Sequence, residues 1–331
     1  MILRKVVSVM LAFSLSFLML FFLVEEPTVS LKWMILGPFS RLSRFVEMIE
    51  QTIPLIFTGL AVTIVFQTGL FNIGAEGQFL VGAIGATVGA LCFPQIPVVH
   101  ALLTIALGVM FGAMWGGIPG ILKARWNASE VVSSLMMNYI GLYFSLFLLK
   151  KFFMDHQAGY VVSYEFPKTA ILPKVLGINS GIVLGVTFSL LLWFLLWKTR
   201  YGYEMRVIGK NRAFAIYSGI RVKKYMFWVQ VLSGAVAGIA GAVEVMGTYG
   251  RFLWQEMPGY GFGGIAVSIL ASNNPIWIPI SASVMGFLKA GTMIMARKTG
   301  APSETIFILQ SVVIAFLSSR IELGRVRKWL S

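Results

Sequence analysis

The chain has 331 residues, of which 57% are hydrophobic and only 12% charged, and its mean hydropathy is +0.82. A soluble domain carries about 25% charged residues, so this composition excludes a soluble enzyme, a secreted disulfide-stapled module and a disordered tail. The single cysteine, Cys92, excludes an internal disulfide or a cysteine zinc cluster, and the net charge of +14 reads first as loop orientation, not nucleic-acid binding.

Apolar runs long enough to cross a bilayer, roughly 20 residues each, recur from end to end. The first, 6–24, follows Arg4 and Lys5. It is longer than the usual ~7–15-residue signal-peptide core and has no clean cleavage site, so it reads as an uncleaved helix. Further spans are predicted at 53–70, 73–93, 98–122, 131–149, 181–197, 226–247, 262–271, 276–295 and 305–318. That makes ten, with 262–271 too short to cross alone. Placing the N-terminus inside puts 16 Lys and Arg in inner segments and ten in outer ones, with Lys289 left in a span. The densest cluster, 198–224, then lies inside, as the positive-inside rule requires, and an even span count returns the C-terminus to the same side.

The expected fold is therefore an all-α integral membrane protein of about ten segments, some broken or re-entrant. Residues 1–50 form an N-terminal transmembrane helix and outer segment, 51–320 a transmembrane domain, and 321–331 a cytoplasmic tail. No Gly-x-x-x-x-Gly-Lys-Ser/Thr loop occurs, so ATP, if used, is bound by another chain.

Two stretches resemble each other. Gly120-Ile-Leu-Lys-Ala124 precedes Ala128-Ser-Glu-Val131, and Gly286-Phe-Leu-Lys-Ala290 precedes Pro302-Ser-Glu-Thr305. A glycine-rich interruption lies upstream of each, at 69–78 and 258–264. An odd number of spans separates the copies, so the repeats, about 51–150 and 226–320, are expected to be inverted, as in many transporters.

Residues 69–78 place Asn72, Glu76 and Gln78 between two apolar runs with no polar loop. A charge within a bilayer costs a few kcal/mol, and irregular backbone survives there only inside protein or beside water. Two readings stand: a substrate path or gate lining, or a packing motif in which Asn72 caps a new helix and Glu76 favours its dipole. Asn138 and Glu244 are further intramembrane polar residues. Glu244 and Lys289 either pair, or Lys289 snorkels outward. Glu130 reads as a helix-start acid behind a Ser129 cap. Gly112, Gly116, Gly234, Gly238 and Gly241 recur at helical spacing and predict close helix packing. His100 and His156 are far apart and form no metal-ligand spacing; His156 belongs in a solvated outer loop.

In the inner loop, Asn211 is placed to cap a short helix over 212–218, with Gly219 ending it. Ala213 and Ala215 keep that helix thin, which suits a partner's groove; the alternative is an interfacial helix on anionic lipid.

These residues carry a family resemblance. Pro54-Leu-Ile-Phe-Thr-Gly-Leu-Ala61, Gly69-Leu-Phe-Asn-Ile-Gly-Ala-Glu-Gly-Gln78, Leu122 to Val131 with Met137-Asn-Tyr139, and Gly202-x-x-x-Arg206-x-x-Gly209-x-Asn211 to Gly219-Ile220 are the carrying motifs. The chain resembles permease subunits of ABC importers of the branched-chain amino acid and simple-sugar permease class. It is most similar to the longer permease of purine-nucleoside importers. The resemblance implies a type II-like importer permease in the bacterial cytoplasmic membrane. The same resemblance implies that the chain binds no cofactor, with ATP and Mg on a partner ATPase. It also implies a second homologous permease and a substrate-binding lipoprotein as the remaining partners. In such a pore, the residues read from their own chemistry as candidates for the substrate path or gate are Phe71, Asn72, Glu76, Gln78, Asn138 and Glu244. Loop 198–225 becomes the coupling element, with Arg206, Gly209, Asn211, Ala213, Ala215 and Gly219 toward the ATPase. The loop departs from the adjacent alanines common in the family, having Phe214 between Ala213 and Ala215. Two rivals stand beside this reading. One is a permease of the same class for simple sugars or branched-chain amino acids. The other is a stand-alone ion-coupled carrier using Glu76 or Glu244.

Overall fold

The structure is a computed structural model, and it describes residues 26–175 and 177–300. Among these residues, seven helices are long and apolar enough to span a membrane. They correspond to the expected spans from 53–70 through 276–295, apart from 262–271, which is one short helix. The expected spans 6–24 and 305–318 lie outside the described residues.

The described residues divide into two units, one within 49–285 and one of residues 26–48 and 286–300. In the smaller unit, helix α1 (Pro27–Leu36) opens with Pro27, whose fixed φ suits a first helical turn. Met34 packs with Met295, and Phe39 stacks on Phe287 with ring centroids 5.8 Å apart. Glu47 pairs with Arg297 at 3.2 Å.

The larger unit is a helical bundle. Helix α2 (Leu42–Gln67) begins well before the apolar run that predicts it and carries Pro54 in its interior. Proline removes a backbone donor there, and the Thr58 hydroxyl donates to the Pro54 carbonyl at 3.0 Å. Helices α3 (Ala75–Cys92) and α4 (Val99–Trp126) follow, then α5 (Glu130–Leu148), which ends in a π turn at Leu149–Phe153. Ser129 and Glu130 start α5 as expected. The Ser129 hydroxyl accepts from Val132 N at 3.5 Å, and Glu130 pairs with Lys123 at 2.7 Å.

Residues 154–180 form a loop with a two-stranded hairpin, β1 (Lys174–Val175) against β2 (Ile178–Asn179). Helix α6 (Gly181–Lys198) leads into α7 (Arg200–Lys210) and the short α8 (Arg212–Tyr217). Then come α9 (Val222–Glu244) with a π turn at Val245–Tyr249, α10 (Tyr260–Leu270), and α11 (Ile278–Thr299), whose residues from Gly286 onward belong to the smaller unit. Two long loops meet at one end. Ser163 N donates to the Phe252 carbonyl at 2.9 Å, Phe166 N to the Gly250 carbonyl at 2.8 Å, and Glu165 pairs with Arg251.

Burial separates centre from periphery. The apolar windows of α2 and α3 are 83% buried, whereas those of α4 and α6 are 28% buried. The outward faces of α4, α5 and α6 are apolar: Leu102, Met114, Phe147, Leu190 and Phe194 are exposed. In a membrane protein such a face meets lipid tails. The predicted glycine faces are real contacts. A Cβ on Gly116 would lie 2.5 Å from the Gln230 carbonyl and 3.0 Å from Gly234 Cα, and one on Gly238 would lie 3.1 Å from Gly112 Cα. Helices α4 and α9 therefore touch backbone to backbone, and Gly241 meets α3 at the Phe79 carbonyl in the same way.

Candidate functional site

The break between α2 and α3 organises the site. Helix α2 ends in a Schellman turn, with Gly69 at φ +69°, Gly69 N donating to the Phe66 carbonyl and Leu70 N to the Val65 carbonyl. The segment to Gly74 then runs irregularly, and its backbone polar groups need partners. They find them in buried side chains. Gln230 Nε2 donates to the Phe71 carbonyl at 3.2 Å, Asn138 Nδ2 to the Ile73 carbonyl at 2.9 Å, and Ile73 N to Ser134 Oγ at 3.2 Å.

Asn72 sits at the centre of this network, fully buried. Its Nδ2 donates to Gln78 Oε1 at 3.0 Å and to Ser233 Oγ at 2.8 Å, and its Oδ1 accepts from Gly74 N at 2.8 Å. Ser233 passes the chain on to the Ala61 carbonyl at 2.7 Å. Asn138 Oδ1 accepts from Gly77 N at 2.8 Å. So Asn72, Gln78 and Asn138 belong to one network. The expected cap differs in detail: Asn72 closes a turn onto Gly74 rather than capping α3, whose N-cap is Gly74 with no side-chain bond. Phe71 stands apart. Its ring is 52% exposed and makes an edge contact with Phe66, so its carbonyl, not its ring, joins the network.

Glu76 does not serve the dipole of its own helix alone. Its fully buried carboxylate reaches the start of α10, where Gly259 N donates to Oε1 at 2.6 Å, and Gly261 N (2.5 Å) and Phe262 N (3.4 Å) donate to Oε2. These are orphan N–H groups of a helix N-terminus, and a carboxylate there satisfies both hydrogen bonding and dipole. The first turns of α3 and α10, the two interrupted segments, are thus clamped by one side chain. Gly261 is required for the approach, since a Cβ there would lie 2.6 Å from Glu76 Cα.

Glu244 belongs to a neighbouring polar group. Tyr260 OH lies 2.8 Å from Gln51 Oε1 and 3.2 Å from Glu244 Oε1, and Thr248 Oγ1 donates to Glu244 Oε2 at 3.3 Å. Rings cover this cluster: Phe79 lies 5.3 Å from Tyr260 and 5.1 Å from Trp254, centroid to centroid.

At the opposite end of α6, α7 and α8 form a helical hairpin. Asn211 Oδ1 accepts from Phe214 N at 3.0 Å, and Gly219 turns the chain at φ +77°, both as the sequence predicts. Arg206 lies over the Trp197 ring at 5.4 Å. Gly209 packs against Gln67 and Gly69 at the end of α2. Ala213 is exposed, but Ala215 is fully buried and presents nothing to a groove. The exposed face of α8 is instead Phe214, Ile216 and Tyr217. The Tyr225 hydroxyl of α9 and then the Arg200 guanidinium hold the carboxyl of Glu204, on α7, below its ordinary value.

Several partners escape sequence reasoning: Ser134, Gln230, Ser233, Gln51 and Tyr260. Gln230 and Ser233 sit three residues apart just before the α9 glycines and reach Phe71 and Asn72 in the α2–α3 break. That spacing was the one available signal. His100 is buried, between Thr169 Oγ1 at 2.8 Å and the Gly89 carbonyl at 3.2 Å, while His156 is exposed. Among the described residues no cluster of His, Cys, Asp or Glu could hold a metal ion.

A multi-pass helical bundle with paired interrupted segments and a polar interior defines a membrane permease. The chain belongs to the family described as branched-chain amino acid transport system / permease component, which matches residues 44–317. Its relatives include the guanosine ABC transporter permease protein NupP of Bacillus subtilis, 34% identical over 88% of this chain and 87% of the relative. The nucleoside ABC transporter permease protein NupB of Lactococcus lactis is 32% identical over 82% and 78%. The glucose ABC transporter permease protein TsgB13 of Haloferax volcanii is 30% identical over 82% and 75%.

Proposed function

We propose that this chain is the permease subunit of an ATP-driven importer of purine nucleosides. It forms half of the translocation path beside a second, homologous permease. An extracytoplasmic binding lipoprotein delivers substrate, and a separate ATPase, carrying ATP and Mg, docks on α8. The chain lies in the bacterial cytoplasmic membrane with both termini inside. The inverted repeat relates the half around α3 to the half around α10.

The observation that carries the coupling reading is α8 itself. It is a short, capped helix whose Phe214, Ile216 and Tyr217 stay exposed, on a chain with no nucleotide-binding loop of its own. Exposed apolar side chains on a charged loop suit a protein groove. The similarity to NupP and NupB supports nucleoside as substrate.

In this mechanism, ATP-driven closure of the partner moves α7 and α8 as a lever. The lever alters the network around Asn72, Gln78 and Asn138, and the Glu76 clamp keeps α3 and α10 moving together. The carboxamides can hydrogen-bond a ribose or base during passage. TsgB13 favours a second reading, in which a sugar is carried. Competition decides between them. Guanosine uptake by cells expressing the full importer should be blocked by excess purine nucleoside and unaffected by glucose. Importer-dependent uptake of glucose with none of guanosine would favour the sugar reading.

A further inference from the structure

We propose that Gly209 is an internal pivot, not a docking residue, and that through it α7 and α8 bear at once on the α2–α3 break and on the turn that follows α10. The inference rests on the coupling reading above and names the joint that transmits it. Three contacts carry the inference. First, backbone meets backbone. A Cβ on Gly209 would overlap the Gln67 carbonyl and lie 3.0 Å from Gly69 N. From the other side, a Cβ on Gly69 would lie 3.1 Å from Gly209 Cα and 3.2 Å from its carbonyl oxygen. Second, Gly69 is the turn residue that opens the 69–74 break, so the hairpin rests on the start of the segment holding Asn72. Third, Gln67, the residue touched by Gly209, donates from Nε2 to the Asn273 carbonyl at 2.6 Å.

Asn273 lies in the turn after α10, where Ser272 and Asn273 both have φ +56°. That turn is tied back through Ser268, whose hydroxyl donates to Asn273 Oδ1 at 3.0 Å and lies 2.8 Å from Thr63 Oγ1. One joint therefore connects the hairpin to the α2–α3 break directly and to α10 through Gln67. Packed backbone transmits displacement because it has no slack to absorb it. A side chain at 209 would push the hairpin off Gln67 and break that register, while α8 and its exposed face stay unchanged.

The test uses the complete importer in proteoliposomes, with its binding protein, second permease and ATPase. It reads three quantities: copurified ATPase, ATP hydrolysis, and substrate taken up per ATP. The variants are Gly209→Ala and Gln67→Leu, with Gly117→Ala as the control. A Cβ at 117 meets its nearest atom at an ordinary 3.5 Å. The expected result is full ATPase copurification and retained hydrolysis, with uptake per ATP about tenfold lower in both variants, the size of a typical coupling perturbation. Unchanged uptake per ATP in an assembled Gly209→Ala complex would overturn the pivot. If Gly209→Ala fails to assemble, Gln67→Leu decides alone, since it removes the Asn273 bond without adding bulk at 209. Failure of the coupling reading looks different: Phe214→Asp with Tyr217→Asp would then leave the ATPase bound.

Discussion

Replacing Glu76 tests the clamp between the two interrupted segments. Glu76→Ala removes both carboxylate oxygens and leaves Gly259 N and Gly261 N, at 2.6 and 2.5 Å in the parent protein, facing a void. An unsatisfied buried donor costs about 1–3 kcal/mol, so two give roughly 2–6 kcal/mol, a large part of an ordinary folding free energy of about 5–15 kcal/mol. Relief from burying a charge offsets part of this, which favours the lower half of the range. For a chain of this size the lower half of that range corresponds to a melting shift of roughly 3–6 °C. Glu76→Asp keeps the charge but withdraws it by about 1.5 Å, one carbon–carbon bond, and should fall between. The assay is thermal unfolding of the purified importer in mild detergent, read beside nucleoside uptake. Alanine should lower both and aspartate should lower both less. If Glu76→Ala melts with the parent protein and transports at the parent rate, the clamp is not what holds α3 to α10.

Other consequences follow from particular contacts. Gly238→Leu forces α9 away from Gly112 on α4 and should reduce the yield of folded protein, overpacking costing about 1–3 kcal/mol or more; parental yield and melting would refute the packing face. Tyr260→Phe takes the hydroxyl from Gln51 and Glu244 and should cost about 1–3 kcal/mol in unfolding, whereas His156→Ala, on an exposed loop, should leave melting and uptake unchanged. Glu204 has a folded-state value below its ordinary one, so its stabilising contribution is present above the ordinary carboxylate range and disappears as pH falls through the depressed value. Hydrogen-exchange protection in 200–221, corrected for the intrinsic pH dependence of amide exchange, should therefore fall on acidification below the ordinary carboxylate range, and Glu204→Gln should flatten that dependence.

The membrane class and the long helices were legible because twenty apolar residues in a row have few other uses. The α8 cap was legible for a local reason: Asn211 and Gly219 each act within a few residues of their own position. The glycine faces were legible as packing, though not which helices they join. What stayed hidden was long range. Glu76 reads naturally as an acid at the start of its own helix, yet its partners are the amides of residues 259–262, about 185 positions away. Ala215 reads as part of a thin docking face, but a six-residue helix shows only one side, and hydropathy alone does not say which. Helix α2 extends from Leu42 through polar first turns in which Glu47 and Glu50 pair with Arg297 and Lys174, and no apolar window detects such turns. The start of α2 was therefore misplaced by the hydropathy reading, while its end, set by Gly69, fell close to expectation.

The central claim is that this chain imports nucleoside as one subunit of an ATP-driven assembly. The direct measurement is uptake of labelled guanosine into proteoliposomes containing the chain, its second permease and its ATPase, with loaded binding protein outside and ATP inside. Uptake should require ATP and the binding protein, and should vanish when Phe214 and Tyr217 are replaced by aspartate. Uptake by the chain alone, driven by a proton or sodium gradient and indifferent to ATP, would contradict the account.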